Sequence, residues 1–301
     1  MALTTRRRAL GAFGAALAST VALPGVSALA AERHPGRREP LWRAHAHNDY
    51  EHPRPLFDAL DHRFGSVEAD IFLVDGGTSL SERSRGLGGQ LLIGHEVSDL
   101  DPTRTLESLY LEPLAARVRA NHGSVYRGWR KPIQLLIDIK TEGSSTYLEL
   151  DRHLQRYPGL FTTYAHGRVR KGAVTAVISG DRAARGPLEA QTYRRAFYDG
   201  RLADLGTAAP ASLIPLISDN WTLNFTWLGV GSFPEAERQR LRGIVSAAHE
   251  RGQKVRFWAT PDLAGPARDA LWAELLAAGV DYFNTDDLAG LEVFLDTHKA
   301  A

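Results

Sequence analysis

Eight short apolar, β-rich runs alternate with helical patterns from Trp42 onward; most runs are unbroken, and polar clusters stand where they end. These three observations predict an α/β protein of the (β/α)8 TIM-barrel class. Strands covered on both faces by helices read as continuous apolar runs, whereas strands wet on one face alternate. Eight strand–helix units in one chain are the number that closes a barrel. A doubly wound open sheet is the other arrangement with this element order.

Taken in order, the predicted strands cover residues 42–47, 66–73, 90–94, 133–139, 173–179, 213–218, 254–259 and 281–284. Between them, residues 106–118 and 146–157 have helical spacing. Pro234-Glu235-Ala236-Glu237 opens a further helix, with Pro in its first turn and acids near the positive end of its dipole. Leu241, Ile244, Val245 and Ala248 continue it at helical spacing to a stop at Gly252. A last helix repeats the plan from Pro266 through Leu271, Leu275 and Leu276 to Gly279. Gly76-Gly77 through Gly88-Gly89 reads as a polar, Gly-rich insertion near the site. No internal repeat or low-complexity tract interrupts the domain.

The first 30 residues read as a targeting segment of the twin-arginine type. Arg6, Arg7 and Arg8 precede an apolar, Ala- and Gly-rich stretch from Leu10 to Leu23, and Ala28-Leu29-Ala30 supplies the small residues of a cleavage site. That stretch is too short to span a bilayer. The expectation is a secreted, extracellular or cell-envelope protein. Residues 31–41 form a charged lead-in, and 42–301 a single catalytic domain. Cleavage after Ala30 removes three arginines and no acid, taking 36 basic and 35 acidic groups to 33 and 35, a formal net of −2. A nucleic-acid binder needs a basic excess gathered on one face, so that class is excluded. With no Cys there are no disulfides, and stability must come from packing a chain that is 44% hydrophobic.

The chemistry gathers at three stretches: His45-Ala46-His47-Asn48-Asp49-Tyr50, Glu68-Ala69-Asp70 and Gly94-His95-Glu96. In a barrel the C-terminal strand ends share one face, where such proteins place their chemistry. Glu68 and Asp70 are two apart in a strand, so both point to one side and can converge on a cation. Asp138 and Lys140 repeat that spacing, adding a third carboxylate and a cation suited to a phosphate oxygen. Two imidazoles beside alternating carboxylates are the raw material of metal-assisted phosphodiester cleavage, one His taking a proton and the other giving one. All the metal donors here are oxygens, with Asn48 supplying a neutral one, which suits a single Ca²⁺ or Mg²⁺.

The order His-Asn-Asp-Tyr, Glu-x-Asp, Gly-His and Asp-x-Lys resembles the phosphatidylinositol-specific phospholipase C / glycerophosphodiester phosphodiesterase superfamily. The residues 45–50, 55–60 and 66–70 are most similar to the branch named for altered inheritance of mitochondria protein 6. Gly279-Val280-Asp281-Tyr282-Phe283-Asn284-Thr285-Asp286 resembles the closing strand of glycerophosphodiesterases, and Phe257-Trp258-Ala259-Thr260 their seventh. The resemblance implies a phospholipase-C-like barrel that hydrolyses a phosphodiester of glycerophosphodiester or phospholipid type. It implies His47 and His95 as the acid–base pair and Asn48, Glu68, Asp70 and Asp138 around the metal. Lys140 and Trp258 would meet the substrate, with His45 supporting its neighbours. A phospholipid substrate implies transient contact with a membrane surface, and no stable protein partner is implied. The chain departs from the glycerophosphodiesterase pattern in carrying Asn48-Asp49 after His47 where Arg-Gly is usual, and in a longer gap from Asp70 to His95.

Two other readings share these residues. His45-x-His47 is also the metal pair of amidohydrolase-type barrels, and Lys140 and Asp286 would fit that site, but the strand ends Ser179-Gly180-Asp181-Arg182 and Ser218-Asp219-Asn220-Trp221 carry none of the further His ligands it needs. A non-catalytic secreted barrel could instead use Trp221, Phe225 and Trp227 as an aromatic surface for sugar or lipid.

Overall fold

The computed structural model describes residues 38–74 and 89–298. The expected targeting segment, most of the lead-in and nearly all of the Gly-rich insertion lie outside the described residues. The strands are β1 (Leu41–Ala46), β2 (Phe64–Val74), β3 (Gln90–Ile93), β4 (Ile133–Ile139), β5 (Thr163–Ala165), β6 (Arg168–Arg170), β7 (Val174–Gly180), β8 (Tyr193–Arg194), β9 (Ala196–Gly200), β10 (Leu216–Asn220), β11 (Lys254–Trp258) and β12 (Tyr282–Thr285). Eight of them, in the order β1-β2-β4-β7-β9-β10-β11-β12, pair in parallel, and β12 returns to β1 through Ala44↔Phe283 and Ala46↔Thr285. The ring is therefore closed: a (β/α)8 barrel and not an open sheet. β5, β6 and β8 form a separate small antiparallel sheet.

Two strand assignments change. The run at 90–94 is a strand, but it pairs antiparallel to the upper part of β2 (Ile71↔Ile93, Val74↔Gln90) and stands outside the ring. Composition carries no strand direction, so an antiparallel partner looks like a ring member. The missing ring strand is β9, only five residues long, preceded by two arginines and broken by Asp199, so its apolar signal is weak.

Helices at Glu235–Glu250 and Pro266–Ala278 occupy the predicted segments. The second is ended by Gly279 in the left-handed region at φ 83°, a C-terminal cap that an L side chain would strain. The helix Gly143–Gln155 starts earlier than its apolar periodicity suggests, because Glu142 accepts from the amides of Ser144 and Ser145 and caps it. A further helix, Leu288–Thr297, buries Leu288, Leu291, Phe294 and Leu295 against the barrel.

Alternation along each strand sorts the side chains. In β4, Ile133, Leu135, Ile137 and Ile139 join the layer between strands and helices, while Gln134, Leu136 and Asp138 point into the barrel. The interior has a small apolar plug of Leu136, Val177, Phe197, Leu216 and Tyr282. Toward the C-terminal strand ends, the inward positions turn polar, and this shift from plug to polar mouth places the site.

Candidate active site

The first turn after β1 sets the geometry. Asn48 sits in the left-handed region at φ 46°, which Asn tolerates better than most residues. Asp49 is fully buried and accepts from the Leu56 amide at 2.6 Å and the Tyr110 hydroxyl at 2.9 Å, tying the loop down. Burial pushes its carboxyl up to about 7. Tyr50 then points inward and donates to Asp70 Oδ2 at 2.7 Å, with Asn48 Oδ1 3.0 Å away. Burial and the Asp70 charge hold the Tyr50 phenol well above its ordinary range, so it stays a donor.

His95 reaches this group from beyond β3. Its Nδ1 lies 3.2 Å from Asp70 Oδ2 and 3.1 Å from the Tyr50 oxygen. His47 is held in the same manner from the other side, with Nδ1 2.9 Å from Asp286 Oδ1. Burial pulls the His47 imidazole down, but the Asp286 hydrogen bond and the Glu68 charge outweigh it, leaving a net rise above its usual value. Both rings thus present Nδ1 to a carboxylate, and neither Nε2 has a protein hydrogen-bond partner among the described residues.

Glu68, Asp70 and Asp138 form one carboxylate group, each offering an oxygen within 4.8 Å of the others. Asp138 is pushed up to about 6 by burial and the Asp70 charge, and Asp70 is raised by burial and the Glu68 charge. Lys140 bridges two of the three, with Nζ 2.9 Å from Asp70 and 3.2 Å from Asp138. Asp70 Oδ1 is buried with no hydrogen-bond partner. A buried, unsatisfied oxygen amid mutually repelling carboxylates fits a cation. Gly180 makes the fit tight: a Cβ there would stand 2.7 Å from Asp138 Oδ1.

Beneath this group lies His45, fully buried. Its Nδ1 meets Ser66 Oγ at 2.7 Å, and its Nε2 lies between Arg256 Nη1 at 2.6 Å and Glu68 Oε2 at 2.9 Å. Burial and the Arg256 charge push the imidazole down to about 4, so it is neutral. A guanidinium against Nε2 leaves His45 no free position for a metal, which overturns the amidohydrolase-type pair. Across the mouth, Asp199 accepts from Ser179, Ser218 and Arg201 at 2.7–2.8 Å. The Arg201 guanidinium lies 4.7 Å from the centre of the Trp258 ring.

Trp258 shares its inward face with Arg256 and is half-buried at the strand end, whereas Phe257 points outward and packs on Trp221 at 5.5 Å. Trp221, Phe225 and Trp227 are buried, stacked among themselves and Phe233. They are core, which removes the aromatic-surface reading.

The structure brings His47, Asn48, Glu68, Asp70, His95, Asp138 and Lys140 together, with Trp258 on the rim and His45 underneath. Two participants had no role in the sequence reading, and a third, Asp286, entered it only as fitting the amidohydrolase-type alternative. Tyr50 stood in the motif without a task, and Asp286 lies one residue past the closing strand. Arg256 carried a usable signal, since Lys254, Arg256 and Trp258 alternate with apolar neighbours and so mark a polar face inside a buried strand.

A closed parallel barrel whose C-terminal mouth joins two carboxylate-anchored imidazoles to a carboxylate triad defines a TIM-barrel protein with one polar site at its strand ends. Residues 40–199 match the AIM6-like phosphodiesterase domain, and residues 254–289 match the glycerophosphoryl diester phosphodiesterase family. The chain belongs to the AIM6-like phosphodiesterase domain family. It is 30% identical over 281 residues to altered inheritance of mitochondria protein 6 of Eremothecium gossypii, covering 84% of this chain and 69% of that protein. The Lachancea thermotolerans protein of the same name is 29% identical, with 82% and 64% covered, and the Arthroderma benhamiae homolog 28%, with 81% of each. Among solved structures, a glycerophosphoryl diester phosphodiesterase from Parabacteroides distasonis aligns with TM-score 0.49 at 13% identity, over 88% of each chain.

Proposed function

We propose that this protein is a metal-dependent phosphoric diester hydrolase acting on a glycerophosphodiester or phospholipid-type substrate, with His47 and His95 as its acid–base pair. The observation that carries the reading is the matched anchoring of the two rings. Each Nδ1–H is held by a carboxylate, which fixes the tautomer and leaves Nε2 for proton transfer. One Nε2 takes the proton of the attacking hydroxyl, and the other returns a proton to the leaving oxygen. Asp286 and Asp70 hold the rings and favour the imidazolium that forms, as an oriented carboxylate does beside a catalytic His.

Glu68, Asp70 and Asp138, with the Asn48 amide oxygen beside them, would hold one divalent cation, and Ca²⁺ or Mg²⁺ suits an all-oxygen set. Such a cation offsets charge on the phosphoryl oxygens. Lys140 keeps Asp70 and Asp138 partly neutralised and lies where a phosphate oxygen would meet it. Trp258 walls the mouth against the non-phosphate part of the substrate. A phospholipid substrate would bring the mouth into transient contact with a membrane surface. We also assign residues 1–30 to twin-arginine-type export, tested by sequencing the N-terminus of the released protein.

Turnover of bis(p-nitrophenyl) phosphate, followed by ³¹P NMR of products from a panel of natural diesters, tests the function. His47→Ala and His95→Ala should each lose about 10²-fold or more in rate with the fold intact. Chelator should abolish activity, and Ca²⁺ or Mg²⁺ should restore it. Near-normal rates in both His variants would overturn the assignment, and chelator-insensitive turnover would overturn the metal.

A further inference from the structure

The opposite end of the barrel carries a cavity that the chemistry above does not use. It has a volume of about 350 Å³ and opens among the N-terminal ends of β4, β7, β10, β11 and β12. Its walls include Lys131, Lys171 and Lys254, and no Asp or Glu lines it. Lys254 begins β11 on the face that carries Arg256 and Trp258, so its stem runs inside the barrel and its ammonium meets the Tyr282 hydroxyl. Lys131 lies 4.8 Å from the centre of the Trp42 ring. None of the three lysines forms an ion pair among the described residues. The nearby Asp281 is already engaged, its Oδ2 accepting from His249 at 2.8 Å and from the Val255 amide at 2.9 Å.

Three ammonium groups around one cavity repel one another, and a half-buried lysine without a carboxylate forfeits hydration for little return. The Lys131 ammonium is held below its ordinary range by burial and by the charge of Lys254, whereas burial of Lys254 is outweighed by Tyr282 and the Asp281 charge, leaving a net rise. An anion would relieve both costs at once. Gln134 and the hydrogen-bonded hydroxyls of Thr162 and Thr175 line the same space, and Val177 and Phe197 form its apolar floor. The volume falls within the range of about 300–1,000 Å³ typical of small-ligand sites.

We propose that the N-terminal end of the barrel is a second binding site, for a phosphomonoester-type anion held by Lys131, Lys171 and Lys254. The apolar plug of Leu136, Val177, Phe197, Leu216 and Tyr282 separates it from the C-terminal mouth. It stands whether or not the phosphodiesterase reading holds.

The probe is inorganic phosphate, titrated by calorimetry and thermal unfolding into the full chain in chelator, against chloride at matched ionic strength. Phosphate should bind and raise the melting temperature where chloride does not. The Lys131→Gln/Lys171→Gln variant should bind at least tenfold more weakly at this site, while bis(p-nitrophenyl) phosphate turnover with the metal restored stays at the wild-type rate. Lys254→Met, the variant at greater risk of misfolding, should show the same loss if it folds, and the double variant carries the test if it does not. Pelleting with phosphatidic acid vesicles that is lost in the double variant would give the phosphate a lipid source, and binding of soluble phosphate without pelleting would give a soluble one; either supports the site. Unchanged phosphate affinity in the double variant, or an equal response to chloride, overturns it.

Discussion

Replacing Arg256 by Met isolates the interaction on which the floor of the mouth depends. Arg256 is almost wholly buried, with Nη1 3.0 Å from Glu68 Oε2 and 2.6 Å from His45 Nε2. Burial works against the Glu68 charge, yet the Arg256 charge together with the His45 hydrogen bond outweighs it and holds the carboxyl well below its usual range. Met fills much of the guanidinium's volume but leaves a buried carboxylate facing a neutral imidazole. Removing one partner of a buried ion pair costs about 3–5 kcal/mol, because the remaining charge stays desolvated. In a domain of this size each kcal/mol lowers the melting temperature by about 2–4 °C, so a fall of about 6–20 °C is expected. Urea unfolding in chelator, so that no cation replaces the guanidinium, measures the loss directly. The Arg256→Met/Glu68→Gln variant removes the stranded charge and should recover at least half of it, a non-additivity expected of contacting residues. A single variant within about 1 kcal/mol of wild type, the ordinary size of a point-mutation effect, would refute the reasoning.

Asp286→Asn should lower kcat about tenfold or more with the melting temperature unchanged; the loss should be smaller than the about 10⁴-fold seen for a buried triad Asp, because Asp286 is half exposed. Trp258→Phe should alter KM or substrate preference with little loss of stability, and a lower melting temperature at unchanged kcat/KM per folded molecule would make Trp258 a core residue instead. Glu292 is raised by burial but lowered more by its hydrogen bonds to Arg63 and His62, a net depression. Its stabilising contribution is therefore complete above the unfolded carboxylate range and is lost as pH falls from there through the lower folded value, so Glu292→Gln should flatten the acid limb of a stability–pH curve measured by urea unfolding.

The barrel was legible because period and length suffice for it: unbroken apolar runs between helices admit few architectures. Direction is not in that signal, and so residues 90–94 counted as a ring strand while β9, with Asp199 in its middle, did not. The clustering of Glu68, Asp70 and Asp138 could be read from their spacing of two, since alternation puts each on the inward face of its strand. Tyr50 and Arg256 could not be given roles, nor Asp286 its partnership with His47, because each acts through a partner between about 20 and 240 positions away in sequence, at a distance only the closed ring creates. The aromatic run at Trp221 misled for the opposite reason: composition shows large rings but not whether a helix covers them.

The position of β3 outside the ring puts one of the two imidazoles just past a strand that packs on the barrel without belonging to its circuit, since Leu91 and Ile93 are buried in the core and His95 follows Ile93 by two residues. β2 pairs with β1 over its first residues, with β4 from Ser66 to Ile71, and with β3 only from Ile71 onward, so the circuit of parallel strands and the antiparallel pair overlap at that one residue. Changes past Ile93 would leave that packing in place and alter how far the second imidazole reaches over the mouth. Variation at this one turn is a route to new reach that leaves the pairing of the ring intact. Grafting the turn after β3 offers the engineer the same freedom: a library varied there alone would sample new reach while Leu91 and Ile93 keep the strand docked.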